Sequence, residues 1–145
     1  QDYAQGDQRR SRSAAQNIIP NANASAACVE QLLPRFAGRL SGCALNVPVQ
    51  RGSLLDLNCV LRNVVDAEAV NELMRAAAAA RPRLIAVAED PIVSSDVIGC
   101  RQTLLFDAKG TQRAGSRMVK TLAWYETLGH ACRVLDVVRT YAAIA

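Results

Sequence analysis

Apolar and polar residues alternate along residues 53–62, SLLDLNCVLR, with the period of two that is typical of a strand. Side chains at alternate positions of a strand point to opposite faces. One face is therefore predicted to pack on a core and to carry Leu55, Leu57, Cys59 and Leu61. The other face, which includes Asp56 and Asn58, is partly polar.

Other segments predict four further strands. The segment CALNVPVQ, residues 43–50, is predicted to be a strand joined to residues 53–62 by a turn at Arg51 and Gly52. Two strands are predicted in RLIAVAED and RQTLLFDA. A glycine turn at Gly110 then precedes a strand from Arg117 to Tyr125.

Three segments predict helices. The first runs from about Ser25 to Phe36, is closed by Gly38, and is distorted in its last turn by Pro34. The second has Asp66 as its N-cap, an alanine-rich body and a stop at Pro82. The third covers about residues 129–143.

This order of elements predicts an α+β fold with a mainly antiparallel, mixed sheet and helices on one face. The length of 145 residues and the hydrophobic content of 50% fit one domain, residues 1–145, with a sizeable core. No window reaches the roughly 18 apolar residues of a membrane span, and no signal peptide is visible. We therefore expect a cytoplasmic protein that has no membrane partner.

The five cysteines are odd in number and widely spaced, which suggests neither a disulfide framework nor a zinc site. We expect reduced, largely buried thiols. Cys28 stands near a helix N-terminus, where a thiol pKa can fall, but packing against the core is the simpler interpretation.

The net charge of +4 includes an arginine cluster in DQRRSRSAAQ. Arg9, Arg10 and Arg12 are either a nucleic-acid-binding arm or the basic face of a short helix. No aromatic stacking residues are interleaved with them, so we predict no nucleic-acid partner.

The segment PNANAS is predicted to be a loop that precedes the first helix and places Asn21, Asn23 and Ser25 beside its N-terminus. Free backbone N–H groups and the helix dipole make such a place a possible anion site. The alternative is that Asn23 or Ser25 is simply an N-cap for those same groups. Position alone favours the cap.

Several long segments, in order and spacing, resemble the C-terminal catalytic domain of the phosphorylating aldehyde dehydrogenases. They are DQRRSRSAAQNIIPNANASAACVEQLLPRFAGRLSGCALNVPV, SLLDLNCVLR, EDPIVSSDVIG, LLFDA and RMVKTLAWYE. This family contains glyceraldehyde-3-phosphate and erythrose-4-phosphate dehydrogenases. The resemblance implies NAD as the cofactor of a longer parent, an N-terminal NAD-binding Rossmann domain that is not in this chain, two phosphate sites and a dimeric or tetrameric homo-oligomer formed through the sheet.

The resemblance also assigns residues. Arg10 matches the family's arginine for inorganic phosphate, and Asn23 and Ala24 stand where a threonine and a glycine complete that site. Asn46 replaces the arginine that clamps substrate phosphate. Thr127 stands in the shortened WYETLGHA segment, where the family's asparagine holds the nicotinamide carboxamide.

The family's catalytic Ser-Cys-Thr-Thr-Asn run and its partner histidine both belong upstream of Gln1, so no catalytic residue is assigned here. His130 and Cys132 are two residues apart on a predicted helix and therefore point in different directions, which argues against a substitute dyad.

Two interpretations stay open. In the first, the chain, which lacks an initiator methionine, is a fragment of a dehydrogenase, and residues upstream of Gln1 complete its chemistry. The chain alone is then predicted to be inactive. Alternatively, the parent is a non-catalytic paralogue whose domain serves as a binding or oligomerisation module. The altered residues Ala24, Asn46 and Thr127 favour the second interpretation, and the retained Arg10 favours the first.

Overall fold

A computed structural model describes residues 6–144. The chain divides into two compact units, one ending at Gln50 and the other beginning at Arg51. Among the described residues, no helix is both long and apolar enough to cross a membrane.

The first unit is built on a two-stranded antiparallel ribbon. Strand β1, Ile19–Ala22, pairs with strand β2, Cys43–Asn46. Helix α1, Ser25–Leu32, follows β1, and a 3-10 turn, Pro34–Phe36, follows the helix. The predicted distortion at the proline is therefore confirmed: Pro34 has no N–H to donate, so it starts a new turn instead of continuing α1.

Two expectations for this region are wrong. Half of the loop predicted before α1 is strand β1, because its backbone is paired along all four residues with β2. The strands predicted on either side of Gly52 do not pair with each other. The first belongs to the ribbon and the second, β3, Ser53–Val60, belongs to the sheet of the second unit.

The second unit is a four-stranded mixed sheet with the order β3-β6-β5-β4. Strand β4 is parallel to β5, whereas the other two pairs are antiparallel. The remaining elements, in chain order, are α2, Ala67–Ala80; β4, Ile85–Ala88; a 3-10 turn, Ser94–Val97; β5, Leu104–Ala114; β6, Met118–Tyr125; and α3, Thr127–Ala142. The predicted α+β class with a mainly antiparallel, mixed sheet is confirmed.

Helix α2 begins where the sequence predicted. Asp66 caps it, its carboxylate accepting a hydrogen bond from the Ala69 N–H at 2.7 Å. The helix packs on β4 and β5. Its buried Asn71 donates to the Ala108 carbonyl at 3.2 Å and accepts from the Thr111 hydroxyl at 2.7 Å, which fixes the helix on the sheet.

The turn predicted at Gly110 is wrong. Strand β5 continues through it with an irregularity between Asp107 and Gln112, and the hairpin turn lies at Gly115, whose φ is +61°. A Cβ on Gly110 would lie 2.8 Å from the Leu122 side chain, so this glycine permits a close approach of two strands.

Buried Asp107 fixes this irregular stretch. It accepts hydrogen bonds from the Gly110 N–H at 2.9 Å and from the indole N–H of Trp124 at 3.1 Å. Phe106 and Val97 are the largest fully buried side chains, so the described core is centred on β5.

Two expectations about burial are wrong. The face of β3 predicted to pack on a core leaves Leu55 and Leu57 44% and 43% exposed, because α2 packs on β4 and β5, at the other side of the sheet from β3. All five cysteines are free, as expected, but Cys28 and Cys43 are exposed and the other three are only half-buried.

Candidate functional site

The ribbon of the first unit groups several predicted site residues. Ile19 is opposite Asn46 and Asn21 is opposite Ala44, and residues paired in this way share a face of the ribbon. Ile19 and Asn21 are both buried, whereas Asn46, at the end of β2, is exposed. The ribbon face that carries these residues is therefore buried along β1 and exposed to solvent at the end of β2.

Arg10 is held against this ribbon. Its Nε donates to Oδ1 of Asn21 at 3.3 Å. The Asn21 amide nitrogen donates in turn to the Ile19 carbonyl at 3.1 Å, which fixes the orientation of the asparagine. This is the only side-chain hydrogen bond that Arg10 makes within residues 6–144, so both of its terminal nitrogens can contact an anion.

The backbone of Arg10 is fixed by a turn. The carboxylate of Asp7 accepts hydrogen bonds from the N–H groups of Arg9 and Arg10, at 2.9 Å and 3.4 Å. The turn closes with the Ser11 N–H donating to the Asp7 carbonyl at 3.1 Å. A fixed backbone and a fixed Nε reduce the side-chain freedom that Arg10 would lose on binding an anion.

Asn23 and Ala24 stand between β1 and α1. Ala24 is the N-cap of α1, and it offers no side-chain cap. Asn23 instead accepts a hydrogen bond from the Ser25 N–H at 3.1 Å. The prediction that Asn23 or Ser25 is the N-cap is therefore wrong by one position, although the Asn23 side chain does satisfy one of the free N–H groups.

Thr127 lies in the second unit as the first residue of α3, and it is exposed. Its position is set by Glu126, a buried carboxylate that caps the helix by accepting from the Leu128 N–H at 2.8 Å. Glu126 also forms an ion pair with Arg51 at 2.7 Å. Buried carboxylates need such partners, so the start of α3 is firmly held.

His130 and Cys132 do not form a dyad. His130 is exposed on α3 and Cys132 is half-buried, and no hydrogen bond joins them in the described chain. Over residues 6–144, no three histidine, cysteine or acidic side chains are grouped as ligands for a metal ion.

The geometry thus supplies an anchored cation and polar side chains, which can bind an anion. Arg10 and Asn46 lie in the first unit with Asn23 and Ala24, whereas Thr127 lies in the second. Sequence reasoning placed Asn21 in a loop and so missed that it orients Arg10. It also missed Glu126 as the N-cap of α3, because the helix was predicted to begin at about residue 129, whereas it begins at Thr127.

Comparison with known proteins decides the family. Residues 1–127 match the family described as glyceraldehyde 3-phosphate dehydrogenase, C-terminal domain. The chain belongs to this family. The resemblance predicted from the sequence segments is therefore confirmed.

Individual relatives cover almost the whole chain. A glyceraldehyde-3-phosphate dehydrogenase of Clostridium acetobutylicum is 40% identical over 99% of the chain and 43% of its own length. Those of Clostridium pasteurianum and Kitasatospora aureofaciens are each 37% identical, over 99% of the chain and 43% of their own length. The chain therefore spans about two fifths of the length of these curated relatives.

Proposed function

We propose that this chain is the C-terminal domain of a longer, NAD-dependent phosphorylating aldehyde dehydrogenase that acts on a sugar-phosphate aldehyde. The single observation that carries the proposal is Arg10 anchored on the ribbon with its terminal nitrogens free, at the position where the family binds inorganic phosphate. The similar proteins of the two Clostridium species are glyceraldehyde-3-phosphate dehydrogenases, which supports the proposal.

The domain's own role is to bind and orient phosphate groups. Arg10 contributes a charge and two parallel donors, and guanidinium groups match phosphate oxygens in this bidentate way. Asn23 contributes a short polar side chain beside the start of α1. Asn46 contacts the phosphate of the aldehyde substrate only as a neutral amide, so that phosphate is held more weakly than by an arginine.

The residues of this chain do not by themselves fit a dinucleotide. The sequence contains no glycine-rich G-x-G-x-x-G turn for a pyrophosphate, and Thr127 offers one exposed hydroxyl toward a nicotinamide. We propose that NAD belongs to the longer parent and that the 145-residue chain alone has no dehydrogenase activity.

Translation of the coding frame upstream of Gln1 is the first test of this proposal. We expect a glycine-rich βαβ unit followed by a Ser-Cys-Thr-Thr-Asn run. If both are missing, the dehydrogenase proposal fails and a binding or assembly role replaces it. Formation of NADH from glyceraldehyde 3-phosphate, NAD and phosphate by the 145-residue chain alone would also refute the proposal as stated.

A kinetic test then probes Arg10 in the complete polypeptide. Arg10→Gln removes the anchored charge and should raise the KM for inorganic phosphate by about tenfold or more, since charge-assisted hydrogen bonds contribute about 1.5–3 kcal/mol each. Arg9→Gln is the matched control, because the Arg9 side chain forms no ion pair or hydrogen bond within the described chain. Equal effects of the two substitutions would refute the assigned role.

A second kinetic test probes Asn46. Asn46→Arg should lower the KM for the sugar-phosphate aldehyde without changing the KM for inorganic phosphate, because the family resemblance assigns this position to the substrate phosphate. An unchanged KM for the aldehyde would show that Asn46 does not contact its phosphate.

Self-association through the sheet is part of the proposal. Within residues 6–144, β3 pairs only with β6, and it carries Leu54, Leu55 and Val60, which are 44%, 44% and 80% exposed. Val60→Lys should therefore weaken the homo-oligomer, as measured by light scattering across micromolar concentrations. Leu73→Lys, at a position on α2 that is 68% exposed, is the control. A strictly monomeric wild-type protein would contradict the proposal.

The alternative function is a non-catalytic binding or oligomerisation module. Asn46 favours this alternative. It places a neutral amide where the family has an arginine that clamps substrate phosphate, and this replacement is not needed for packing. Under this alternative, the complete polypeptide self-associates but forms no NADH, even with Asn46→Arg.

A further inference from the structure

The second unit contains a cavity of about 460 Å³ that is rich in arginine. Its wall is formed by the segment after α2, by the segment before β5, and by one side of α3. Four arginines line it together with a single carboxylate: Arg83, Arg101, Arg133, Arg139 and Asp136. We name it the arginine cavity.

Asp136 contacts three of these arginines. It is in an ion pair with Arg83, lies 3.0 Å from a terminal nitrogen of Arg133, and lies 3.7 Å from one of Arg139. Arg101 forms no ion pair within residues 6–144. Asp136 therefore pairs with three of the four guanidinium groups, and the residues that line the cavity carry a net charge of three positive units.

Arg133 adds an independent observation. Its terminal nitrogens contact Asp136 and the Arg83 carbonyl, but its Nε is buried and has no hydrogen-bond partner within the described chain. Buried polar groups in folded proteins almost always have a partner, which can be water or a bound ion. Because the Nε is closed off from solvent, a ligand in the cavity can reach only the terminal nitrogens of Arg133, whose positive charge favours an anion.

The wall of the cavity is rigid. A Cβ on Gly129, in the first turn of α3, would lie 2.2 Å from the Gln102 carbonyl oxygen, so α3 and the segment carrying Arg101 are in very close contact. Gln102 also donates to the Pro82 carbonyl at 3.3 Å, which ties that segment to the one carrying Arg83. The backbone positions from which Arg83 and Arg101 extend are therefore fixed relative to α3.

We propose that the arginine cavity binds a small anion carrying at least two phosphate charges. The volume suits a small ligand. The net positive charge of the lining residues favours a multiply charged anion, and the forked donors of arginine match phosphate oxygens. The lining residues contain no aromatic side chain on which a nucleic-acid base could stack, so a phosphorylated small molecule is favoured over RNA or DNA.

This site is distinct from the one assigned above. None of the lining residues is among Arg10, Asn23, Ala24, Asn46 and Thr127, so the proposal stands or falls independently of dehydrogenase activity.

Inorganic pyrophosphate is the probe, titrated into the 145-residue chain by calorimetry at fixed ionic strength. We expect one saturable site, with Arg101→Gln weakening affinity about tenfold because it removes one charge-assisted contact. Arg113→Gln, at an exposed position on β5 away from the cavity, removes the same charge and should change affinity less than twofold. Circular dichroism of both variants checks their folding.

A second measurement locates the ion. The NMR signal of the Arg133 Nε–H group should shift on titration with the same dependence on pyrophosphate as the heat. Three outcomes would overturn the proposal: no saturable binding at all, equal weakening by Arg101→Gln and Arg113→Gln, or citrate binding as tightly as pyrophosphate. The last would mean that charge alone, and not phosphate geometry, is recognised.

Discussion

Gly129 offers the sharpest test of how α3 is positioned. It is buried in the first turn of the helix, and a Cβ there would lie 2.2 Å from the Gln102 carbonyl oxygen and 3.0 Å from its carbon. The obstacle is backbone, which cannot rotate away as a side chain can. Gly129→Ala therefore requires α3 and the segment before β5 to separate by about 1 Å, since ordinary contact begins near 3.4 Å.

The expected cost follows from two opposing terms. Overpacking of this kind costs about 1–3 kcal/mol, and the rigid backbone favours the upper end. Replacing glycine by alanine in a helix contributes about 1 kcal/mol in the opposite direction. The net destabilisation is about 2 kcal/mol, and each kcal/mol lowers the Tm by roughly 2–4 °C in a protein of about 150 residues.

The assay is urea unfolding followed by the fluorescence of the single tryptophan, Trp124, on β6 in the same unit. His130→Ala is the control: it changes the next residue of the same helix, at an exposed position, and should alter stability by no more than about 0.5 kcal/mol. If Gly129→Ala is as stable as this control, the close contact between α3 and Gln102 does not exist in solution.

Two further predictions concern charged side chains of the second unit. Arg75 donates to Glu68 and Glu89 at 2.6 Å and 2.8 Å, and these hydrogen bonds hold the pKa of each carboxyl below its ordinary value of 4.5. Arg75→Met should therefore have a lower free energy of unfolding than the wild type above pH 4.5. This difference should vanish as the pH falls through the lowered pKa values of the two carboxyls. A difference that does not depend on pH would contradict the prediction. Asp107→Ala leaves the half-buried indole N–H of Trp124 and the buried backbone N–H of Gly110 unpaired, and it should cost about 3 kcal/mol in urea unfolding. Asp90→Ala, at an exposed position, should be nearly neutral, and similar losses in the two variants would refute the role of Asp107.

Short-range signals were sufficient for the helices. The cap at Asp66 depends on atoms three residues apart, and Pro34 interrupts α1 through its own covalent structure. The family could also be recognised from the sequence, because its long segments stand in a fixed order. The class of site followed from that resemblance, and Arg10 was named before any geometry was known.

Such short-range signals could not predict which distant segments pair as strands. A glycine in the sequence can indicate either a turn or a close approach of two backbones. Only the pairing of β5 with β6 shows that Gly110 permits a close approach. Likewise, β2 and β3 are neighbours in sequence but pair with β1 and β6, and the alternation in β3 did not reveal that it lies at a sheet edge.

The sequence by itself determined the helices, the α+β class, the family and the residues that the family assigns, because each depends on local chemistry or on the order of motifs. Tertiary structure alone decided that Asn21 orients Arg10 and that Arg101, Arg133 and Asp136 line one cavity. The physical reason is the same in both cases. A hydrogen bond or an electrostatic contact depends on distance in space, and folding brings together residues that lie far apart along the chain.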